Sequence, residues 1–290
     1  MDQSRQRMET VLSILDKTTT YFQKHGIENA RLDAELLLSH VLECKRMQLY
    51  LDFERPLPES TLASLRPLLK KRANREPLQY LIGSTSFMDF TLKTDPRALI
   101  PRPETEELVE LILAHFDKRA KPERILDLGT GTGAIACALA RAFPDAEVMA
   151  TDLSETTLTL ARENIERLAL QQKIHCLQSH WFQGVTGVYD LIVSNPPYLA
   201  DHELETLEPE VGKFEPHRAL ASGPSGLEAI EVLLTEAPKF LRKNGVIFLE
   251  TGCSQESAIR SFARELGQEP RLECFKDLNH RHRFVRLEMG

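Results

Sequence analysis

From residue 124 onward the chain repeats one rhythm: a short apolar run, a turn, then a stretch with helical periodicity. RILDL (124–128) runs through GTGTG into AIACALARAF, and AEVMATD (146–152) leads into a helix expected from Ser154 to about Leu170. KIHCLQS, YDLIVSN and GVIFLETG follow as further short apolar runs. Strands that are this apolar and alternate with helices must be covered on both faces, which predicts an α/β fold with a mostly parallel sheet. The tail RLECFKDLNHRHRFVRLEM breaks the rhythm with two β-like runs around a short polar turn. It predicts an antiparallel hairpin that closes the sheet.

The first 76 residues read differently. Met8, Val11, Leu12, Leu15 and Phe22 recur at roughly helical spacing, and Gly26 stands where a C-terminal cap is useful. Asn29 precedes ARLDAELLLSHVL, whose apolar residues form a wide stripe, and Pro58-Glu59-Ser60 opens a third pattern running towards Arg75. Pro67 inside that pattern predicts a kink or two short helices. A small helical bundle is the simplest sum. Residues 77–100, PLQYLIGSTSFMDFTLKTDPRALI, alternate enough to predict a β-hairpin linker, and residues 101–290 form the sheet domain. That domain opens with Pro103 and acidic residues at a helix start, where a missing N–H is harmless and negative charge suits the dipole.

Charge and cysteines narrow the function classes. Residues 1–85 carry 13 Lys+Arg against 11 Asp+Glu, and the remaining 205 residues carry 23 against 32. So acidic a large domain argues against wrapping nucleic acid phosphates. The one basic run, Lys70, Lys71 and Arg72 with Arg75 nearby, reads as a solvated helix face. Five scattered cysteines without a CxxC pair suggest neither a disulfide framework nor a zinc cluster. The polar N-terminus MDQSRQRMET and the absence of any long apolar run lead us to expect a soluble cytoplasmic protein.

DLGTGTGAIA (127–136) follows a strand and opens a helix. Gly129, Gly131 and Gly133 let the backbone turn sharply and approach a ligand, with Thr130 and Thr132 between them, while the helix N-terminus offers N–H groups. A nucleotide-like ligand is implied, at the carboxyl ends of the strands. The dinucleotide fingerprint is GxGxxG; the GxGxG spacing here, with an Asp two residues before it, disfavours NAD. Asp152 ends the next strand, where its carboxylate could accept both hydroxyls of a ribose. Its other possible role is to cap the following helix, for which Ser154 competes.

YDLIVSN ends in Asn195-Pro196-Pro197-Tyr198 at the same sheet edge. The prolines hold Asn195 and Pro196 extended, so the backbone is stiff. That stiffness aims two acceptors, the Asn195 side-chain oxygen and the Pro196 carbonyl, into one small space. An –NH2 group meets the demand, and accepting two hydrogen bonds from it favours the positive charge it acquires while attacking an electrophilic methyl. Tyr198 can pack flat against a planar substrate group. Alone, the four residues are ordinary turn chemistry; after DxGxGxG they point to an N-methyltransferase.

Together DLGTGTGAIA, Asp152 and NPPY resemble the class I S-adenosylmethionine-dependent methyltransferases, a Rossmann-like fold. More narrowly, PLQYLIGSTSF, ALIPRPETEELVE, NPPYLA, FEPHRAL (214–220) and RLDAELLLSHVL resemble the HemK/PrmC family of peptide chain release factor glutamine-N5 methyltransferases, over nearly the whole chain. The resemblance implies S-adenosyl-L-methionine held by Gly129, Thr130, Gly131, Thr132, Gly133, Asp152, Trp181 and Asn195, with the turn Pro101 to Glu104, Arg102 included, lining the same cleft. Asn195, Pro196, Pro197 and Tyr198 would hold the glutamine amide of the Gly-Gly-Gln loop of class I release factors, with Asn195, Pro196 and Tyr198 the catalytic set and the N-terminal helices gripping the protein substrate. No metal, membrane or direct nucleic acid partner is implied, and a monomer suffices. The family commonly has an acidic residue where this chain has His180, before Trp181; a neutral imidazole could accept the same adenine hydrogen bond. His280 and His282 lack a third ligand and read as a polar turn. The alternatives are an adenine-N6 nucleic-acid methyltransferase, for which the same Asn-Pro-Pro-aromatic turn suits a flipped base, a nicotinamide-dependent oxidoreductase, and a catalytically silent binding scaffold.

Overall fold

A computed structural model of the chain describes residues 9–268 and 271–290. Met8, counted above in the first helical pattern, lies outside them. The described chain forms two compact units, one of residues up to Gly83 together with Glu208–Phe214, the other of Ser84–Leu207 and Glu215–Gly290.

The first unit is helical. α1 (Val11–Lys24), α2 (Ala30–Val41), α3 (Arg46–Leu51), α4 (Glu59–Ala73) and α5 (Leu78–Ile82) bury one core around Val11, Leu15, Phe22, Leu37, Leu49 and Leu65. α1 starts with a capping box in which the Thr10 side chain accepts from Ser13 N and Ser13 Oγ accepts from Thr10 N. Two expectations are corrected here. Pro67 does not split the third pattern into two short helices: α4 continues through it, with Leu62 and Leu65 buried before the proline. Nor is the basic run simply a solvated face. Lys70 and Lys71 are exposed, but Arg72 is buried and pairs with Asp33 at 2.7 Å and Glu210 at 2.8 Å, while Arg75 pairs with Glu208 at 2.7 Å and Glu210 at 2.6 Å. A buried guanidinium is tolerable only when paired in this way.

The second unit is the sheet. A small antiparallel hairpin, β1 (Ser84–Phe87) and β2 (Phe90–Lys93), precedes α6 (Pro103–Phe116), while Leu78–Ile82, expected within the hairpin linker, is helical. Then come β3 (Arg124–Leu128), α7 (Ala134–Ala142), β4 (Glu147–Asp152), α8 (Glu155–Arg167), β5 (Ile174–Gln178), β6 (Tyr189–Ser194), β7 (Leu241–Glu250), β8 (Leu272–Lys276) and β9 (His282–Glu288). The seven-stranded order is β5-β4-β3-β6-β7-β9-β8, parallel except for β9, which runs antiparallel to β7 and β8. The C-terminal hairpin is as expected. α8 stops earlier than expected, because Ala169 adopts a left-handed φ of 56° and Leu170 N turns back to the Ile165 carbonyl at 2.9 Å.

Strand alternation sorts the apolar residues onto two faces. Ile125, Val148, Leu191, Val193 and Phe248 join α6 and α7 in one core; Leu126, Leu128, Ile192, Ile247 and Leu249 join Ile230, Leu233 and Ile259 in the other. Because both faces are dry, the polar groups that interrupt the strands gather at their carboxyl ends. Between β3 and β6 the order changes direction, and an open sheet presents its ligand crevice at that point.

Candidate active site

A cavity of about 470 Å³ lies at this switch point, within the sheet unit. The loop after β3 forms its floor. Gly129 and Gly131, with φ of 73° and 57°, face it together with Thr130 and Thr132, and a Cβ built on either glycine meets nothing within 4 Å. The loop is an open cradle. Gly133 serves differently: it caps α7, and an added Cβ would lie 3.5 Å from the Ala161 methyl of α8. Thr130 Oγ1 donates to Asp127 Oδ2 at 2.6 Å and Ala136 N donates to the same oxygen at 3.1 Å, which holds the loop on the helix start. Asp127 is fully buried, its Oδ1 has no partner among the described residues, and burial pushes its carboxyl up to about 7.

Asp152, at the end of β4, lines the same cavity. Its carboxylate accepts from Gly131 N at 3.1 Å and from Ser154 N at 2.9 Å, while Ser154 Oγ, not Asp152, takes the cap bond from Thr157 N. Burial raises the Asp152 pKa, and the two N–H donors partly offset it. Trp181 and His180 contribute wall, as do Pro101 and Thr105 from the start of α6. Arg102 does not line the cavity; its Nη2 donates to the buried Glu215 at 2.5 Å.

Asn195 and Pro197 also line the cavity, whereas Pro196 and Tyr198 of the same turn do not. The turn is pinned from behind. Gln255 Nε2 donates to the Tyr198 carbonyl at 2.8 Å, and a Cβ on Gly226 would come within 2.7 Å of that oxygen, so only glycine lets the chains approach. Leu199 N donates to the Leu220 carbonyl at 2.9 Å, which ties the turn to the FEPHRAL segment. Asn195 Nδ2 donates to Thr105 Oγ1 at 3.0 Å, Thr105 Oγ1 donates to Glu250 Oε2 at 2.8 Å, and the Tyr198 hydroxyl points at Glu250 Oε1 at 3.4 Å. With its Nδ2 turned to Thr105, the Asn195 amide turns Oδ1 the other way, and no described residue donates to that oxygen or to the Pro196 carbonyl. Glu250 is 1% exposed, and burial lifts its carboxyl to about 7.

The residues missed from sequence are therefore Thr105, Glu250, Glu215 and Gln255. Three carried a signal. Thr105 sits inside IPRPETE, Glu215 inside FEPHRAL, and Glu250 is a lone carboxylate at the end of the apolar run GVIFLE. The donor set fits an S-adenosylmethionine-type ligand: an open glycine cradle, a carboxylate for a diol and an indole line one cavity.

Residues 13–83 match the PrmC N-terminal domain, and residues 104–209 match the methyltransferase small domain. The chain is 36% identical over 285 residues to the release factor glutamine methyltransferase of Rhodopirellula baltica, covering 96% of each chain. It is 41% identical over 263 residues to the protein of that name from Vibrio cholerae, covering 90% of each. Among solved structures, the hMettl16 catalytic domain in complex with MAT2A 3'UTR hairpin 6 superposes with a TM-score of 0.56 at 16% identity, over 82% of this chain and 94% of that one. At that identity the likeness is one of fold alone.

Proposed function

The chain belongs to the release factor glutamine methyltransferase family, and from that premise we propose that it methylates the side-chain amide nitrogen of the glutamine in the Gly-Gly-Gln motif of class I peptide chain release factors. The observation that carries the reading is the pair of acceptors on the NPPY turn, Asn195 Oδ1 and the Pro196 carbonyl, which have no donor among the described residues, on a turn whose Asn195 and Pro197 line the cavity. An amide –NH2 offers two donors to such a pair. Its lone pair is delocalised, so the residues contribute alignment and polarisation. Both acceptors draw density towards the nitrogen and stabilise the positive charge it acquires. Tyr198 bounds the planar amide from the side.

S-adenosyl-L-methionine, when bound, supplies an electrophilic methyl on a sulfonium. Gly129, Thr130, Gly131 and Thr132 would hold its amino acid part, Asp152 its ribose hydroxyls, and Trp181 with His180 its base. Arg102, engaged by Glu215, would act by fixing the turn before α6. We place the reaction in the cytoplasm, with the enzyme as a monomer; no helix of the described chain is long and apolar enough to cross a membrane. The excess of acidic residues beyond residue 85, 32 against 23 basic ones, weighs against a nucleic-acid substrate.

The test is mass spectrometry of a purified class I release factor incubated with the protein and S-adenosylmethionine, with a Gln→Ala release factor as control. A gain of one methyl on the Gly-Gly-Gln peptide, absent from the control, is the expected result. Cofactor binding without that gain would overturn the substrate assignment.

A further inference from the structure

We infer that Glu250 is a positioning residue for this methylation: acting through the Thr105 hydroxyl, its carboxylate fixes which way round the Asn195 amide sits. The inference rests on the reading that Asn195 Oδ1 accepts from the substrate amide. A hydroxyl has one proton. Thr105 Oγ1 lies 2.8 Å from Glu250 Oε2 and 3.0 Å from Asn195 Nδ2, so that proton can serve only one neighbour. An ionised carboxylate accepts only, so it takes the Thr105 proton and leaves lone pairs to face Asn195. Asn195 must then present Nδ2 to Thr105 and Oδ1 to the substrate. A protonated Glu250 can donate to Thr105 instead, which frees the hydroxyl proton to point at Asn195 and makes the flipped amide equally acceptable. A flipped amide offers donors where the substrate also has donors.

Thr105 and Glu250 are both buried, so water does not substitute in the relay. The groups that face Glu250 are Tyr198 on the NPPY turn, Glu104 beside Thr105 on α6, and Arg283 on β9, which also feels Cys253 and stacks at 5.9 Å from the Tyr198 ring centroid. Burial outweighs the help from Thr105 and Arg283 and brings the carboxyl to about 7, so the polarity of the relay changes across neutral pH.

The experiment compares wild type with Glu250→Gln, Thr105→Ser and Thr105→Val. It reads kcat and KM on a release factor from about pH 5.5 to 8.5, the Kd for S-adenosylhomocysteine by calorimetry, and the Asn195 side-chain amide resonances by NMR across the same titration. We expect wild-type kcat to rise through about pH 7 to a plateau. Glu250→Gln should be flat with pH and about tenfold below that plateau, the effect of one lost orienting bond, with S-adenosylhomocysteine affinity within about twofold. Thr105→Ser should restore the wild-type profile and Thr105→Val should not. The Asn195 amide signals should titrate in wild type and not in Glu250→Gln. Parallel loss of kcat and cofactor affinity, an unchanged pH profile in Glu250→Gln, or an Asn195 signal that does not follow the carboxyl would each overturn the relay. Failure of wild type to methylate Gly-Gly-Gln overturns the substrate reading instead, and the amide titration still decides the relay.

Discussion

Glu250→Gln should make the sheet unit more stable at alkaline pH, and the size of the effect follows from the proton balance. In the fold the Glu250 carboxyl holds its proton to about 7, against 4.5 for the ordinary side chain. Between those values the folded state binds more protons than the unfolded one, so stability falls as pH rises. The sign is that of a raised carboxyl: the destabilisation is absent below the unfolded value, grows from there to about 7, and is fully present above. At about 1.4 kcal/mol per pH unit the gap corresponds to about 3 kcal/mol. Glutamine keeps the shape and can either accept from Thr105 or donate to it, so it no longer fixes the polarity of the relay, yet it should match wild type within about 1 kcal/mol near pH 4.5. Near pH 8 it should exceed wild type by roughly 2–3 kcal/mol. Asp127, also raised to about 7, the raised Asp152 and the lowered His115 titrate alike in both proteins, so the difference between the two pH profiles isolates Glu250. Urea unfolding followed by fluorescence measures this directly, because the single tryptophan, Trp181, belongs to the sheet unit. Two unfolding curves that lose stability in parallel from pH 5 to pH 8 would refute the reasoning.

Two further contrasts separate cofactor holding from chemistry and packing. Asp152→Ala removes a carboxylate aimed at a diol and should weaken S-adenosylmethionine binding by about a hundredfold or more, at about 1.5–3 kcal/mol per charged hydrogen bond, whereas Asn195→Ala should lower turnover by about 10²-fold and leave that affinity within a few-fold. Calorimetry and initial rates test both, and equal loss of binding and turnover in either variant would count against its assignment. Gly131→Ala and Gly133→Ala each force a side chain into left-handed backbone, at φ of 57° and 83°, and should destabilise by similar amounts, about 1–2 kcal/mol. Only Gly131→Ala places its methyl at the cavity, so only that variant should lose cofactor affinity, by tenfold or more.

Much of the fold was legible because its signals are local. A strand such as RILDL, apolar on successive residues, must be covered twice, and the two cores that Ile125 and Leu126 enter bear this out. The glycine loop and the NPPY turn were legible for the same reason, since glycine and proline restrict or release their own backbone. What escaped was partner choice at long range. Arg72 reads as one more cation on an exposed face until Asp33, 39 residues away, and Glu210, 138 residues away, supply its partners. Thr105 meets Asn195 across 90 residues and Glu250 across 145. No periodicity encodes such pairs. The end of α8 escaped on a smaller scale, because alanine carries no sign that Ala169 will take a left-handed conformation.

The division between local and distant signals matches a division of labour in the site. Local motifs aim atoms: the prolines direct the Pro196 carbonyl, and the glycines open the floor. They do not set polarity. Proline stiffness alone leaves the Asn195 amide free to present either its oxygen or its nitrogen, and the choice falls to a hydroxyl and a carboxylate brought from two other elements. That carboxylate is a poor contributor to stability, since it is buried, half-neutral near pH 7, and expected to be improved upon by an isosteric glutamine. A residue whose replacement should strengthen the fold is placed for another reason, and the geometry supplies one: with an acceptor fixed at Glu250, one proton on Thr105 has a single place to go.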